Sequence, residues 1–420
     1  KVCIQLNDIK RGNSIYSEIA RKGLSETNIF IGSTLVHMYA KFGMPRKAKE
    51  ASDRLVARNI VSWTSLINAY AQHGLGQEAL ECFEKMQEEG FSPNSTTFSC
   101  VLKACSTMSS IEKGQEIHAK ILMEGLSADL MIGNTLIDMY VKRALFASAQ
   151  TVFRNLPIRD AISWTTLIGG YAQHCHCKEG SSCFEEMQLD GVSPNVVTFS
   201  EVLKCYCNMD EFCKGQDLHA IIVNVGLERE LILGSSLIDM YARFFYLDEV
   251  EQVFWSLRVR DVVSWNALIE AYVECGCGEE ALTCLKYMQL EGFSPSGATF
   301  ACSLKACATI GAVEKGEEIY SEISWKGLLE NDVIVGNSLI HMYTSFGMVL
   351  KARDVFERLP IRDIVSWNSL ITGCAHIGEC REAFLLFMEM VGTRKQRPNL
   401  VTFLNLLGAC SHGGLIHEGQ

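Results

Sequence analysis

His174, Cys175, His176 and Cys177 form the densest run of metal-binding side chains in the 420-residue chain. Zinc takes four ligands in a tetrahedron, so the run would need a second ligand pair at a finger-like spacing. No C-x-x-C occurs, and the C-x-C pairs Cys205/Cys207 and Cys275/Cys277 stand without partners. At the matching place one period earlier the sequence reads His73, Gly74, Leu75, Gly76, the composition of a turn. No metal and no cofactor are therefore expected. No enzyme is expected either, since P-loop, G-x-S-x-G and H-E-x-x-H patterns are missing. The H-x-E and P-C-x-x-C spacings of zinc deaminases are missing too. What does recur is a set of short polar side chains: Ser33, Asn134, Ser235 and Asn337 in one series, Thr64, Thr165, Asn266 and Asn368 in another. A third set is Asn59, Asn94, Asp160, Asn195, Asp261, Ser296, Asp363 and Asn399. Such residues close helix ends and turns. That accounts for the third set better than for the first two, which fall inside predicted helices, where these residues are disfavoured.

The elements that carry these residues repeat. VSWTSLI at Val61, ISWTTLI at Ile162, VSWNALI at Val263 and VSWNSLI at Val365 place Trp63, Trp164, Trp265 and Trp367 at intervals of 101, 101 and 102 residues. Between them fall GSTLVHMYAKFG, GNTLIDMYVKRA, GSSLIDMYARFF and GNSLIHMYTSFG, and then TFSCVLKAC, TFSEVLKCY, TFACSLKAC and TFLNLLGAC. Each period thus holds three modules of about 31–36 residues. Each module reads as two helices. From Ile60, Leu66, Ile67, Tyr70 and Ala71 share a face. Gly74 and Gly76 turn the chain, and Leu80, Phe83 and Met86 line a second stripe before Gly90 and Pro93 stop it. No alternating strand pattern is seen. One helix pair cannot bury its apolar faces alone, so neighbours must stack.

Short modules are read at 29–59, 130–160, 231–261 and 333–363, and standard modules at 60–94, 161–195, 262–296 and 364–399. Long modules are read at 95–129, 196–230 and 297–332, with partial ones at 1–28 and 400–420, so that 1–420 is a single array. The fold class expected is all-α, an α-solenoid coiled as a right-handed superhelix.

Composition narrows the function. Hydrophobic residues are 48% and charged residues 21%, too apolar for disorder. No apolar run reaches the roughly 18 residues of a membrane span. The net charge of −11 argues against sequence-blind nucleic-acid binding, which rests on phosphate neutralisation, but leaves room for a narrow basic track. The 18 cysteines lack framework spacing and read as reduced core residues of an intracellular protein. KVCIQLNDIKRG is neither a signal nor a transit peptide and does not begin with Met, so upstream sequence is expected to be missing. The last module stops short at Gln420.

The three recurring signatures, in fixed order, resemble the pentatricopeptide repeat (PPR) family, in its PLS subclass of long, short and standard modules. The resemblance implies sequence-specific binding of single-stranded RNA, one module per nucleotide, in RNA editing or RNA processing in a mitochondrion or chloroplast. Protein editing partners are compatible with it. A deaminase-like DYW domain belongs to full-length members and is absent from this chain. In the family the fifth and last residues of a module face one base. The pairs here are Ser33/Asn59, Thr64/Asn94, Asn134/Asp160, Thr165/Asn195, Ser235/Asp261, Asn266/Ser296, Asn337/Asp363 and Asn368/Asn399. By the family's preferences these imply the site A-A-N-U-A-N-G-C-N-U-Y-N. The unassigned positions are long modules, three with the pairs Ser99/Asp129, Ser200/Glu230 and Ala301/Asp332 and the last the incomplete module at 400–420. The second residues, Phe30, Val61, Met131, Ile162, Ile232, Val263, Ile334 and Val365, would wedge between bases; ordinary helix packing is the other reading. Lys41, Lys142 and Arg243 at position 13 of three short modules would meet phosphates. The alternative function is a protein-binding α-solenoid scaffold without RNA recognition.

Overall fold

Apolar residues three and four apart build the helices, and a glycine or a short polar residue ends most of them. The computed structural model describes residues 8–21, 29–55, 57–108, 110–329, 331–393 and 396–413. Among these residues there are 24 helices and no strand, as the all-α expectation requires. Much of the two partial modules expected at 1–28 and 400–420 lies outside the described residues, as does the stop at Gln420.

The chain forms two compact units, Lys1–Asp210 and Glu211–Gln420. In the first, the helices Ile29–Lys41, Ile60–Gln72, Ser95–Met108, Leu130–Val141, Ala161–Gln173 and Val196–Asn208 lie side by side, each packed on the next. Between them in sequence run Pro45–Asp53, Gly76–Glu88, Ile111–Met123, Phe146–Asn155 and Cys177–Leu189, each packed on the helix before it. In the second unit Leu231–Arg243, Val262–Glu274, Gly297–Ile310, Val333–Ser345, Ile364–His376 and Leu400–Gly413 form the same layer of first helices. Each unit is thus a stack of helix pairs, the solenoid architecture the repeats called for.

The fourth residue of each first helix sets how neighbours fit. In standard modules it is Trp63, Trp164, Trp265 or Trp367, all buried. The last three meet Phe153, Phe254 and Phe356 edge-on, with ring centroids 4.6, 4.7 and 4.7 Å apart. Truncating such an indole costs about 3–5 kcal/mol. In short modules the same place holds Gly133, Gly234 and Gly336, where an added methyl would overlap Leu156, Leu257 and Leu359. Long modules put Phe98, Phe199 and Phe300 there, all buried. One position thus cycles through no side chain, a large ring and a medium ring along successive helix pairs.

The turn between paired helices needs a left-handed residue at position 15. Gly43, Gly74, Gly276, Gly311, Gly347 and Gly378 supply it at φ between 70° and 83°. Four consecutive modules instead use Ala144 (φ 55°), Cys175 (φ 60°), Asp210 (φ 55°) and Phe245 (φ 63°). Cys175 belongs to the His–Cys run, which therefore lies in the turn the sequence implied, with the His174 and His176 rings edge-on against Phe146. A left-handed non-glycine residue costs about 1–2 kcal/mol, while the extra freedom of glycine in the unfolded chain takes back about 0.4–1 kcal/mol. Cys175→Gly and Phe245→Gly should therefore each stabilise the protein by about 0.5–1 kcal/mol. The check is a higher urea midpoint for each variant and a lower one for Gly276→Ala.

Candidate functional site

Positions 2, 5, 9 and 13 of a helix fall within a narrow arc, because each residue advances by about 100°. In the first helices this arc is exposed at its second position, while Ser33, Ser99 and Ser200 at the fifth are buried. Its first occupants are the second-position side chains. Phe30 is 80% exposed, and Val61, Met131, Ile162, Ile232, Val263, Ile334 and Val365 are between 52% and 66% exposed. Helix packing does not account for them, since buried neighbours such as Trp164 and Leu167 do that work.

The last residue of each short and standard module caps the first helix that follows. Asn59, Asn94, Asp160, Asn195, Asp261, Ser296, Asp363 and Asn399 each accept from the N–H three residues on, at 2.8–3.3 Å. Capping as read from the sequence is therefore real at all eight. It does not exhaust these side chains. In Asp160 and Asp363 the cap N–H, the Ser163 or Ser366 hydroxyl and the fifth-position amide all converge on Oδ1. With these three bonds on one oxygen, each carboxylate keeps acceptor capacity at the other.

The cap also brings the fifth and last residues together. Asn134 donates to Asp160 (3.4 Å), Asn266 to Ser296 (3.4 Å), Asn337 to Asp363 (3.3 Å) and Asn368 to Asn399 (3.2 Å). In three of these the amide oxygen accepts from the capping-box hydroxyl of the next helix: Asn266 from Thr299, Asn337 from Ser366 and Asn368 from Thr402, at 2.6–2.7 Å. The amide orientation is thereby fixed, with one N–H left over. Where the fifth residue is threonine, the link runs through the capping hydroxyl. Thr64 bonds Thr97 (2.8 Å) and Thr165 bonds Thr198 (2.6 Å), and these donate to Asn94 and Asn195. Ser33 and Ser235 turn back onto the Ile29 and Leu231 carbonyls instead, so their pairs with Asn59 and Asp261 are not directly bonded.

Two sets of residues escaped the sequence reading. Arg58, Arg159, Arg260 and Arg362 directly precede the caps. Their guanidiniums lie over Trp63, Phe153, Trp255 and Phe356 at 4.7, 5.3, 4.9 and 5.0 Å. Arg58, Arg159 and Arg260 also pair with Glu89, Asp190 and Glu291 on the next second helix. They hold the cap residue in place, and their recurrence in the R-N/R-D dipeptides was the available signal. The second set is Lys103, Lys204 and Lys305, the lysines of the recurring long-module signature, which share the arc at position 9. Of the expected phosphate residues, Lys142 is tied to Asp138 at 2.7 Å, Lys41 makes no ion pair among the described residues, and Arg243 closes its helix.

Burial pushes the Asp160 and Asp363 carboxyls up, but the bonds from Ser163 or Ser366 and from Asn134 or Asn337 outweigh it, so both sit below the ordinary value. A depressed folded-state value gives stability that is complete above the unfolded pKa of about 3.9 and is lost as pH falls through the folded value. Asp160→Asn with Asp363→Asn keeps a capping oxygen and removes the proton. The difference in thermal midpoint between pH 5 and pH 3 should shrink in this variant relative to the parent chain.

The profile described as the PPR repeat family matches residues 58–107, 159–208, 260–309 and 362–412, and the PPR repeat profile matches 337–364, together more than half of the chain. A chloroplastic pentatricopeptide repeat-containing protein of Arabidopsis thaliana is 33% identical over 97% of this chain and 47% of its own length. A mitochondrial one from the same plant is 29% identical over 100% of this chain and 60% of its own length. The chain spans about half the length of the curated relatives it matches. Among solved structures, that of the pentatricopeptide repeat protein PPR10 in complex with an 18-nt psaJ RNA element superposes with a TM-score of 0.68 at 22% identity, over 96% of this chain and 59% of that one. Profile, relatives and fold agree, and the chain belongs to the pentatricopeptide repeat family.

Proposed function

We propose that this chain binds single-stranded RNA sequence-specifically, one module per nucleotide, as the targeting part of a PLS-type organellar RNA-editing or RNA-processing factor. The observation that carries the reading is the row of exposed apolar side chains, one per short or standard module, beside a polar pair whose amide and carboxylate groups keep spare hydrogen-bonding capacity. Unpaired bases are recognised this way, by apolar contact with their faces and hydrogen bonds to their edges. An isolated exposed Val or Ile would need no explanation; eight in register with eight polar pairs do. The relatives named chloroplastic and mitochondrial support an organellar site of action. The proposed target is A-A-N-U-A-N-G-C-N-U-Y-N. Selection from random RNA should enrich this register, whereas recovery of an unrelated motif rejects the assignment.

A single-module exchange tests the pairs directly. Uracil presents an N–H between two carbonyls, which Asn337 can donate to and Asp363 can accept from. Asn337→Thr with Asp363→Asn copies the Thr64/Asn94 pair, and Asn94 already caps its helix, so the fold should persist. Preference at that one position should move from uracil to adenine by about 1–3 kcal/mol. A variant that binds normally with unchanged preference makes these residues caps alone and favours a protein-binding scaffold.

A further inference from the structure

Three cavities open along the first-helix arc, two in the first unit and one in the second, and they differ in charge. The first, of about 470 Å³, is lined by His37, Lys41 and Lys103 together with apolar and uncharged polar residues, and no carboxylate lines it. The second, of about 340 Å³, has Lys142 facing Asp138 and Glu201. There Asp138 holds Lys142 at 2.7 Å, and Glu201 is occupied by Lys204 at 2.9 Å. The third, of about 630 Å³ in the second unit, sets Lys305 against Glu270 and Asp363. In a chain of net charge −11, the first cavity is the one of the three whose cations are not answered by an acid.

We propose that the cavity framed by Lys41 and Lys103 is the principal anchor for the RNA backbone, where these two ammonium groups take successive phosphates. This rests on the RNA-binding reading above, and it assigns to a long module a role other than base reading. Lys41 ends Ile29–Lys41 and Lys103 lies in Ser95–Met108, so the two flank the standard-module helix Ile60–Gln72 that carries Val61 and Thr64. Val61 and Thr64 line the same cavity as both lysines. Neither lysine makes an ion pair among the described residues. Cys100 lines the same cavity as both lysines. Ser99 is a second, independent sign: the residue is 4% exposed and lines the cavity, and its hydroxyl has no hydrogen-bond partner. A buried hydroxyl left without a partner costs about 1–3 kcal/mol, which an anion or its water would relieve. Burial and the Lys41 charge lower the His37 pKa, so its ring is neutral at pH 7 and the attraction comes from the lysines.

The test is the salt dependence of binding by the full chain to two probes, the 12-nucleotide RNA matching the proposed target and a 12-nucleotide random pool. Each phosphate neutralised on a single strand contributes about 0.7 to the slope of log K against log salt. Lys41→Gln with Lys103→Gln should flatten the slope by about 1.4 on both probes, since phosphates carry no sequence. The charge-matched pair Lys113→Gln with Lys178→Gln, on second helices, should leave it unchanged. Lys142→Gln should change it by less than half of one phosphate. An unchanged slope in the Lys41/Lys103 variant, with base preference intact, overturns the anchor and leaves the RNA reading standing. An equal fall in the Lys113/Lys178 variant reduces the effect to net charge and also overturns the anchor. Failure of the unaltered chain to bind either probe removes both proposals.

Discussion

Each first helix of a standard module begins on a side chain that closes it, and most of the layout follows from that closure. Asn59, Asp160, Asp261 and Asp363 accept from the N–H of the third helical residue, and at Asn59, Asp261 and Asp363 that residue's hydroxyl returns the bond. A cap of this kind is worth about 1 kcal/mol. Its larger effect is on register. Once the helix must start at residue 60 or 161, residue 2 faces outward, residue 4 is driven into the neighbouring pair, and residues 5, 9 and 13 follow residue 2 around the same arc. A start shifted by one residue would turn Val61 or Ile162 by about 100° and separate the fifth side chain from its partner.

Packing then locks what capping positions. The cycle of glycine, tryptophan and phenylalanine at the fourth position lets first helices fit against second helices, with Trp164 edge-on to Phe153 and Leu156 pressed against Gly133. Repeat stacks gain stability pair by pair from such neighbour contacts. The arginines ahead of the caps join the two layers, because Arg58 and Arg159 lie over rings in the buried layer while pairing with acids on the next second helix. Half-exposed ion pairs of this type add little by themselves; stacking on an aromatic face is what fixes the guanidinium beside the cap.

The outward arc is thus a by-product of helix register that has acquired a chemistry of its own. It combines exposed aliphatic groups, which water does not favour, with polar pairs whose bonds are only partly used. Its charge is uneven although its shape repeats. His37, Lys41 and Lys103 meet no acid in the first cavity, whereas Asp138 and Glu201 answer the basic residues of the second. An anion moving along the arc would therefore meet different fields in modules of the same fold.

The sequence alone determined the helix pairs and the family, because these depend on local periodicity and on signatures repeated four times over. It also singled out the cap residues, since Asn, Asp and Ser before a hydrophobic run close helices whatever surrounds them. It could not decide whether Val61 or Ile162 was packed or exposed, for an apolar residue two positions from a buried tryptophan reads the same either way. It paired Asn134 with Asp160 through the family resemblance, but the hydrogen bond between them, across 26 residues, arises only through the stacking of one pair on the next. The charge of the first cavity was hidden for the same reason. Lys41 and Lys103 belong to different modules, and whether a lysine keeps its charge for a ligand depends on which acids tertiary packing sets beside it.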